Sequence, residues 1–460
     1  MSLQCWVKKG SVALAGLLLF IRPILRGISR RPPRFFKLAF TKKMKTIPSL
    51  TTLSGIIAIS MVSPASAEDW PQWRGIHRDG KSAETGLLKT WPEGGPKLVW
   101  TASELGGGYT TPSVADGRIY GMGYRGDREV VWSLDAESGK ELWSTPTAPA
   151  NHDVGYPEGP RCTPTVDGDR LFTLGAGGNL VSLDRKAGKV LWQKELVEDF
   201  GGKMMSGWGF SESPLIDGDS LVCTPGGGQG TMLALNKLTG EKLWQTADIT
   251  DNAAYSSIVI ATIAGVRQYV QLTDEHVFGV LPKSGEVLWK APRKGRTAVI
   301  PTPVVSDDIV YVTSGYGDGC NAFKVTSADS KFSVEEIYSN KVMKNHHGGV
   351  VLVGEHLYGY SDASGWVCQN FKSGEAVWNE NSKLGKGAVS YAEGRLYCRF
   401  ESEEGTLALL EATPEGYREL GRFDQPKRSK ANSWPHPVIA NGRLYVRDQD
   451  ILLCYDIKAK

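Results

Sequence analysis

Ser133-Leu-Asp-Ala-Glu-Ser-Gly139-Lys-Glu-Leu-Trp143 returns as Ser182-Leu-Asp-Arg-Lys-Ala-Gly188-Lys-Val-Leu-Trp192, and again as Ala234-Leu-Asn-Lys-Leu-Thr-Gly240-Glu-Lys-Leu-Trp244. Gly279 to Trp289 and Cys368 to Trp378 are two further copies, with Gly and Trp at the same offsets. Each copy reads as a strand, a tight turn with Gly where a positive φ is needed, and a second strand. The closing Trp is placed to cover the sheet of the adjacent unit.

Outward from each copy lies a second hairpin. Its turns are Asp116-Gly117, Asp167-Gly168, Asp217-Gly218, Glu393-Gly394 and Asn441-Gly442, and dipeptides of this kind favour two-residue hairpin turns. The next strand carries a recurring aromatic or apolar residue: Tyr120, Phe172, Val222, Tyr311, Tyr358, Tyr397, Tyr445. Each unit is thus four antiparallel strands over roughly 40–50 residues, the period of a propeller blade. Tyr338 and Leu420 fill the Trp position in two degenerate units. The last unit, His436 to Ile457, stops after three strands, and Pro96-Lys-Leu-Val-Trp100 can supply the fourth. The expected fold is all-β: an eight-bladed β-propeller of four-stranded antiparallel blades over 96–460, closed by an N-terminal strand with no free edge. Seven blades remain an alternative if the seventh unit is misread.

Residues 1–67 hold eleven Lys and Arg and no Asp or Glu. From Met44 the pattern is that of a secretory signal: Lys45, an apolar run from Leu50 to Val62, then Ala65-Ser66-Ala67. Met44 is a candidate true start; one long signal is the alternative. Cleavage after Ala67 predicts a periplasmic or secreted protein without a transmembrane segment in the mature chain. The leader also accounts for the formal charge of +3; without it 42 basic residues face 50 acidic ones. That balance gives no basic footprint for nucleic acid.

Six cysteines remain: Cys162, Cys223, Cys320, Cys368, Cys398 and Cys454. Export invites a disulfide reading. However, Cys368 and Cys454 share the repeat position of Ser133, and Cys223 and Cys398 that of Gly121. These are small-residue positions in separate blades, so packed thiols are expected instead.

Residues 68–95 form a Trp-rich arm with Trp70, Trp73 and Trp91. It reads as an arm on the propeller wall burying Trp70 and Trp73, with an exposed aromatic docking patch as the alternative.

In a propeller, the loop leading into each innermost strand lies nearest the axis, and loops on a rigid scaffold are where sites are expected. The longest loops here, 145–162, 194–212, 339–347 and 422–435, carry the candidates Arg161, Trp208, Glu212, His346, His347, Trp434 and, just beyond, His436. Together they would form a polar pocket with an aromatic wall. No catalytic residue can be nominated. Adjacent strand residues such as His346 and His347 point to opposite faces, and no metal site is predicted. Gly226-Gly-Gly-Gln-Gly230 joins two strands, whereas phosphate cradles precede a helix.

The Ser133–Trp143 unit resembles the tryptophan-docking motif of quinoprotein alcohol dehydrogenases, which use pyrroloquinoline quinone (PQQ). It equally resembles the PQQ-like repeat of BamB-type propellers. Trp70-Pro-Gln-Trp-Arg-Gly75, Ser211-Glu-Ser-Pro214 and Asn345-His-His-Gly-Gly349 are similar to exported PQQ-like repeat proteins. For the dehydrogenases the resemblance implies PQQ with calcium: Glu212 with Asn345 or Asn432 as calcium ligands, Trp208 or Trp434 stacking on the quinone, and Arg161 on its carboxylate. The Cys-Cys pair common there is missing, and no Asp stands at the place of the base. BamB-type lipoproteins carry a lipid-accepting Cys that does not follow Ala67 here. The expectation is therefore a monomeric binding or scaffold propeller without intrinsic catalysis. Its axial face would receive a protein partner or a small polar or anionic ligand. A PQQ-dependent alcohol dehydrogenase of the polyvinyl-alcohol type is the alternative.

Overall fold

The structure is a computed structural model that describes residues 68–429 and 431–459; the leader assigned to 1–67 lies outside the described residues. The strands form eight sheets. Blade 1 runs Ser113–Ala115, Arg118–Arg125, Arg128–Asp135 and Glu141–Pro149. Blades 2 to 7 repeat this order from Thr165, Leu215, Val259, Val304, Val350 and Gly387. Blade 8 consists of Val438–Ala440, Arg443–Asp448, Ile451–Asp456 and the N-terminal strand Lys97–Ala102. That strand pairs antiparallel with the last one, Leu98 opposite Tyr455 and Trp100 opposite Cys454. The ring is closed as the repeat predicts. First strands of neighbouring blades touch one another, so they line the axis.

The repeat explains how blades are joined. Trp143 packs on Tyr120 of its own blade, ring centroids 6.3 Å apart, and its Nε1–H donates to Arg185 O of the next blade at 3.1 Å. The same bond runs from Trp100 to Ala136, from Trp192 to Lys237, from Trp244 to Pro282 and from Trp378 to Thr413. Each acceptor lies in or beside the turn between third and fourth strands. At Gly188 of that turn φ is +70°, and a Cβ would stand 2.5 Å from Trp143. The glycine serves both the turn and the docking of the indole. Tyr338 keeps the pattern, its hydroxyl donating to Phe371 O at 2.8 Å. Trp289 departs from it, because the following hairpin, Ala328 to Lys331, has no such glycine. Its indole turns inward and donates to Gln268 Oε1 at 2.6 Å.

Blade 7 has Leu420 where a docking Trp would stand, and the N-terminal arm supplies the indole. Trp91 hydrogen-bonds Leu420 O through its backbone at 3.0 Å and is buried edge-on against Phe423 and Tyr397. All six cysteines named above are buried and free.

The rest of the arm does not lie on the outer wall. It threads the channel. Trp70 and Val114 of blade 1 exchange two backbone hydrogen bonds of 2.8 Å, and Pro71 O accepts one from Val166 of blade 2. Arg78 donates to Ser213 O ahead of blade 3, and Arg74 to Val350 O of blade 6. Lys81–Ser82 then adds to Gly387–Ala392 as a parallel fifth strand of blade 7. The arm thus occupies the trailing end of the innermost strands, and the long loops occupy the leading end.

Candidate functional site

At the leading end the loops enclose a cavity of about 820 Å³, mouth included. Arg161, Trp208, His346, His347, Trp434 and His436 all line it. Each comes from the loop before an innermost strand, and in a closed ring those loops converge on the axis.

The wall is a nearly continuous aromatic collar. Trp208 lies 5.7 Å from Tyr255 and 6.1 Å from Tyr156 between ring centroids; Tyr156 meets Trp434 edge-on at 4.8 Å. Trp434 stacks on Tyr109 at 4.4 Å and meets His347 at 5.0 Å. His346 follows at 4.8 Å from His347, and Tyr316 at 4.6 Å from His346. Trp73, from the arm, forms the floor beside His436, with centroids 4.7 Å apart.

Arg161 supplies the charge. Its guanidinium donates to Gly159 O, Gly155 O and Tyr156 O at 2.7–2.8 Å and lies over the Tyr109 ring. Of five N–H donors, three are used on carbonyls. Among the described residues no carboxylate pairs with it; the nearby Glu158 accepts instead from the Tyr109 hydroxyl. Burial lowers its pKa from the ordinary arginine value.

The histidines are tuned differently. Burial, then the neighbouring His347 and the Lys386 charge, bring His346 down to about 3. Burial and the Arg74 cation bring His436 down to about 3, and its Nε2 bonds His347 O at 2.9 Å. Both are neutral at pH 7. Since Nε2 is the donor there, His436 Nδ1 is a buried acceptor without a partner. His347 bonds Glu401, and Lys386 bonds His346 and pairs with Asp362 at 3.4 Å. Burial would raise the Glu401 carboxyl, but the His347 bond and the Lys386 charge outweigh it and hold it below the usual range.

Glu212 is the exception among the sequence candidates. It is buried between blades 3 and 4, accepting from Thr224 N at 2.6 Å and Thr224 Oγ1 at 3.1 Å of blade 3 and from Gln271 Nε2 at 3.3 Å of blade 4. Burial pushes its pKa up to about 7 against those bonds and the Arg78 cation. A residue just before an inner strand can face the axis or the blades, and here polar neighbours on two blades draw it between them. Conversely, Tyr109, Tyr255, Tyr316 and Trp73 line the cavity without having been singled out. The first three stand alone in short loops with no motif, and Trp73 arrives through a long-range threading that leaves no periodic signal.

The calcium-bound quinone implied by the dehydrogenase resemblance does not fit this donor set. Glu212 is turned away into its bonds with Thr224, Asn432 is exposed, and Asn345, whose Nδ2 donates to Gly349 O and Tyr360 O, would offer only its single buried Oδ1. Among the described residues no three His, Cys, Asp or Glu side chains converge to hold a cation.

A family profile described as outer membrane protein assembly factor BamB matches residues 127–380. The chain belongs to this family of PQQ-like propellers. BamB of Shewanella oneidensis is 25% identical over 413 residues, 86% of this chain and 95% of that protein. Quinoprotein alcohol dehydrogenase PedH of Pseudomonas putida is 27% identical over 172 residues, 34% of this chain and only 26% of the enzyme. Solved structures of Moraxella catarrhalis BamB (TM-score 0.56, 17% identity, 79% of this chain and 98% of that one) and Comamonas testosteroni quinohemoprotein alcohol dehydrogenase (0.59, 11%, 86% and 82%) share the fold. A fold shared with both kinds of protein does not decide between them; the axial residues of this BamB-family propeller carry what distinguishes its chemistry.

Proposed function

We propose that the protein is a binding propeller of the cell envelope, without catalysis of its own, whose axial cavity receives an acidic polyhydroxylated ligand such as an acidic oligosaccharide. The observation that carries this reading is Arg161: a half-buried cation with no carboxylate partner among the described residues, set into a collar of Trp and Tyr rings. Aromatic faces stack on the apolar faces of sugar rings. Thr111, Ser211 and Ser257 add hydroxyls to the lining, and a hydroxyl can both donate to and accept from a polyhydroxylated ligand. The free donors of Arg161 match a carboxylate. The signal-like leader and the outer-membrane assembly role in the names of its BamB relatives support an envelope location.

Trp208 and Trp434 both line the cavity, so their intrinsic fluorescence reports occupancy. Titration of the mature protein with acidic oligosaccharides is expected to give saturable quenching, and neutral chains of the same length are expected to bind more weakly. Equal binding of both, or none, contradicts the reading.

A further inference from the structure

Trp73 stands on the border between two cavities of the axial channel. Behind the floor, on the arm side, lies a second cavity of about 750 Å³, bounded by Arg74, Arg78, Val259, Thr302, Val304 and Leu352 among others. Trp73 borders the first cavity and Thr302 the second, and the Trp73 Nε1–H donates to Thr302 Oγ1 at 2.9 Å. Two spaces of similar size therefore stand back to back with this pair between them.

The indole is held firmly from both flanks. On one side Trp70 is locked to Val114 by its paired backbone bonds. On the other, Arg74 and Arg78 are buried with their guanidiniums on Val350 O and on Ser213 O and Pro214 O. At its face stands His436, itself bonded to His347 O of the collar. Floor and collar are thus one connected structure, although the floor comes from a segment some 360 residues earlier in the chain than Trp434 and His436.

We infer that Trp73 is a channel stop that makes the axial cavity blind, so that the site takes chains end-on and selects for a free terminus. This rests on the acidic-oligosaccharide reading and adds which part of the chain is recognised. An open groove admits an internal segment, because both flanking lengths can leave it. A through-channel admits one by threading. A blind cavity does neither, since a polymer inside it would have to double back within the collar. Only a terminal unit reaches the floor, where it meets the Trp73 ring. A bulky group on that terminus collides with an anchored indole, and discrimination by collision is effective because the anchor does not yield.

The test compares an oligogalacturonate with the same chain capped at both ends by a bulky group, by calorimetric titration of the mature protein. The wild type is expected to bind the free chain at least about ten-fold more tightly than the capped one, the discrimination coming from steric exclusion. In Trp73→Ala the floor opens into the second cavity, and the capped chain is expected to gain affinity until the difference largely disappears. Trp73→Leu takes its place if circular dichroism shows the alanine variant unfolded. Equal binding of free and capped chains by the wild type overturns end-on recognition while leaving the site's ligand class standing. Full discrimination retained by a folded Trp73 variant overturns Trp73 as the stop. Binding of neither chain overturns the ligand reading and this inference with it.

Discussion

The indole of Trp91 meets the ring of Phe423 edge-on, with centroids 5.0 Å apart. Trp91 belongs to the arm and Phe423 to the outer strand of blade 7, so an arm residue closes the one blade whose own docking position holds a leucine. If that packing matters as the other docked tryptophans do, Trp91→Ala should destabilise the propeller by about 3–5 kcal/mol, the range for truncating a buried Trp. Urea denaturation measures it. A loss below about 1 kcal/mol, the scale of an ordinary surface change, would mean that the arm merely rests on blade 7.

Gly188 and Gly168 both adopt positive φ, +70° and +54°, but a Cβ at Gly188 meets Trp143 at 2.5 Å while one at Gly168 meets nothing within 4 Å. Gly168→Ala is expected to cost only the left-handed backbone penalty, about 1–2 kcal/mol. Gly188→Ala adds displacement of the docked indole and should cost clearly more. Paired denaturation curves separate the two terms; equal losses would remove the glycine from the docking account.

Glu212 gives a pH-dependent test of its corrected place between blades 3 and 4. Burial raises its folded-state pKa to about 7 from the model-compound value of 4.5. The folded state therefore holds a proton that the unfolded chain has lost between these values. The resulting stability is present below pH 4.5 and is lost as pH rises through 7. Glu212→Gln cannot lose a proton. The melting temperature of the variant relative to wild type should therefore rise from pH 5 to pH 8, by an amount worth at most about 3 kcal/mol. The depressed histidines cancel in this comparison, being common to both proteins. A difference independent of pH would mean that the carboxyl ionises freely.

The fold was legible because its determinant is repeated. Gly188 and Trp143 obey a spacing imposed by blade-to-blade contact, and every copy states it again. Even the closing strand could be placed, since Trp100 carries the same residue in the same position as Trp143. The collar was legible in part, because long loops on a propeller have only the axis to converge on. What the sequence did not reveal are contacts made once. Trp73 reaches His436 across most of the chain, and Tyr109 or Tyr255 is one tyrosine among many until the ring closes. Glu212 shows the opposite error: a plausible position before an inner strand does not fix which way the side chain turns.

The central claim is that the axial cavity binds through the unpaired Arg161 cation, and calorimetric titration of wild type and Arg161→Ala with an acidic oligosaccharide tests it most directly. Arg161 bonds only carbonyls of its own loop, so the alanine variant should keep its melting temperature to within a few degrees. Its affinity for the acidic chain should fall about ten-fold or more, the loss of a charge-assisted hydrogen bond of 1.5–3 kcal/mol. Its weak binding of the neutral chain should stay as it was. An Arg161→Ala protein that folds normally and binds the acidic chain as tightly as wild type would contradict the account.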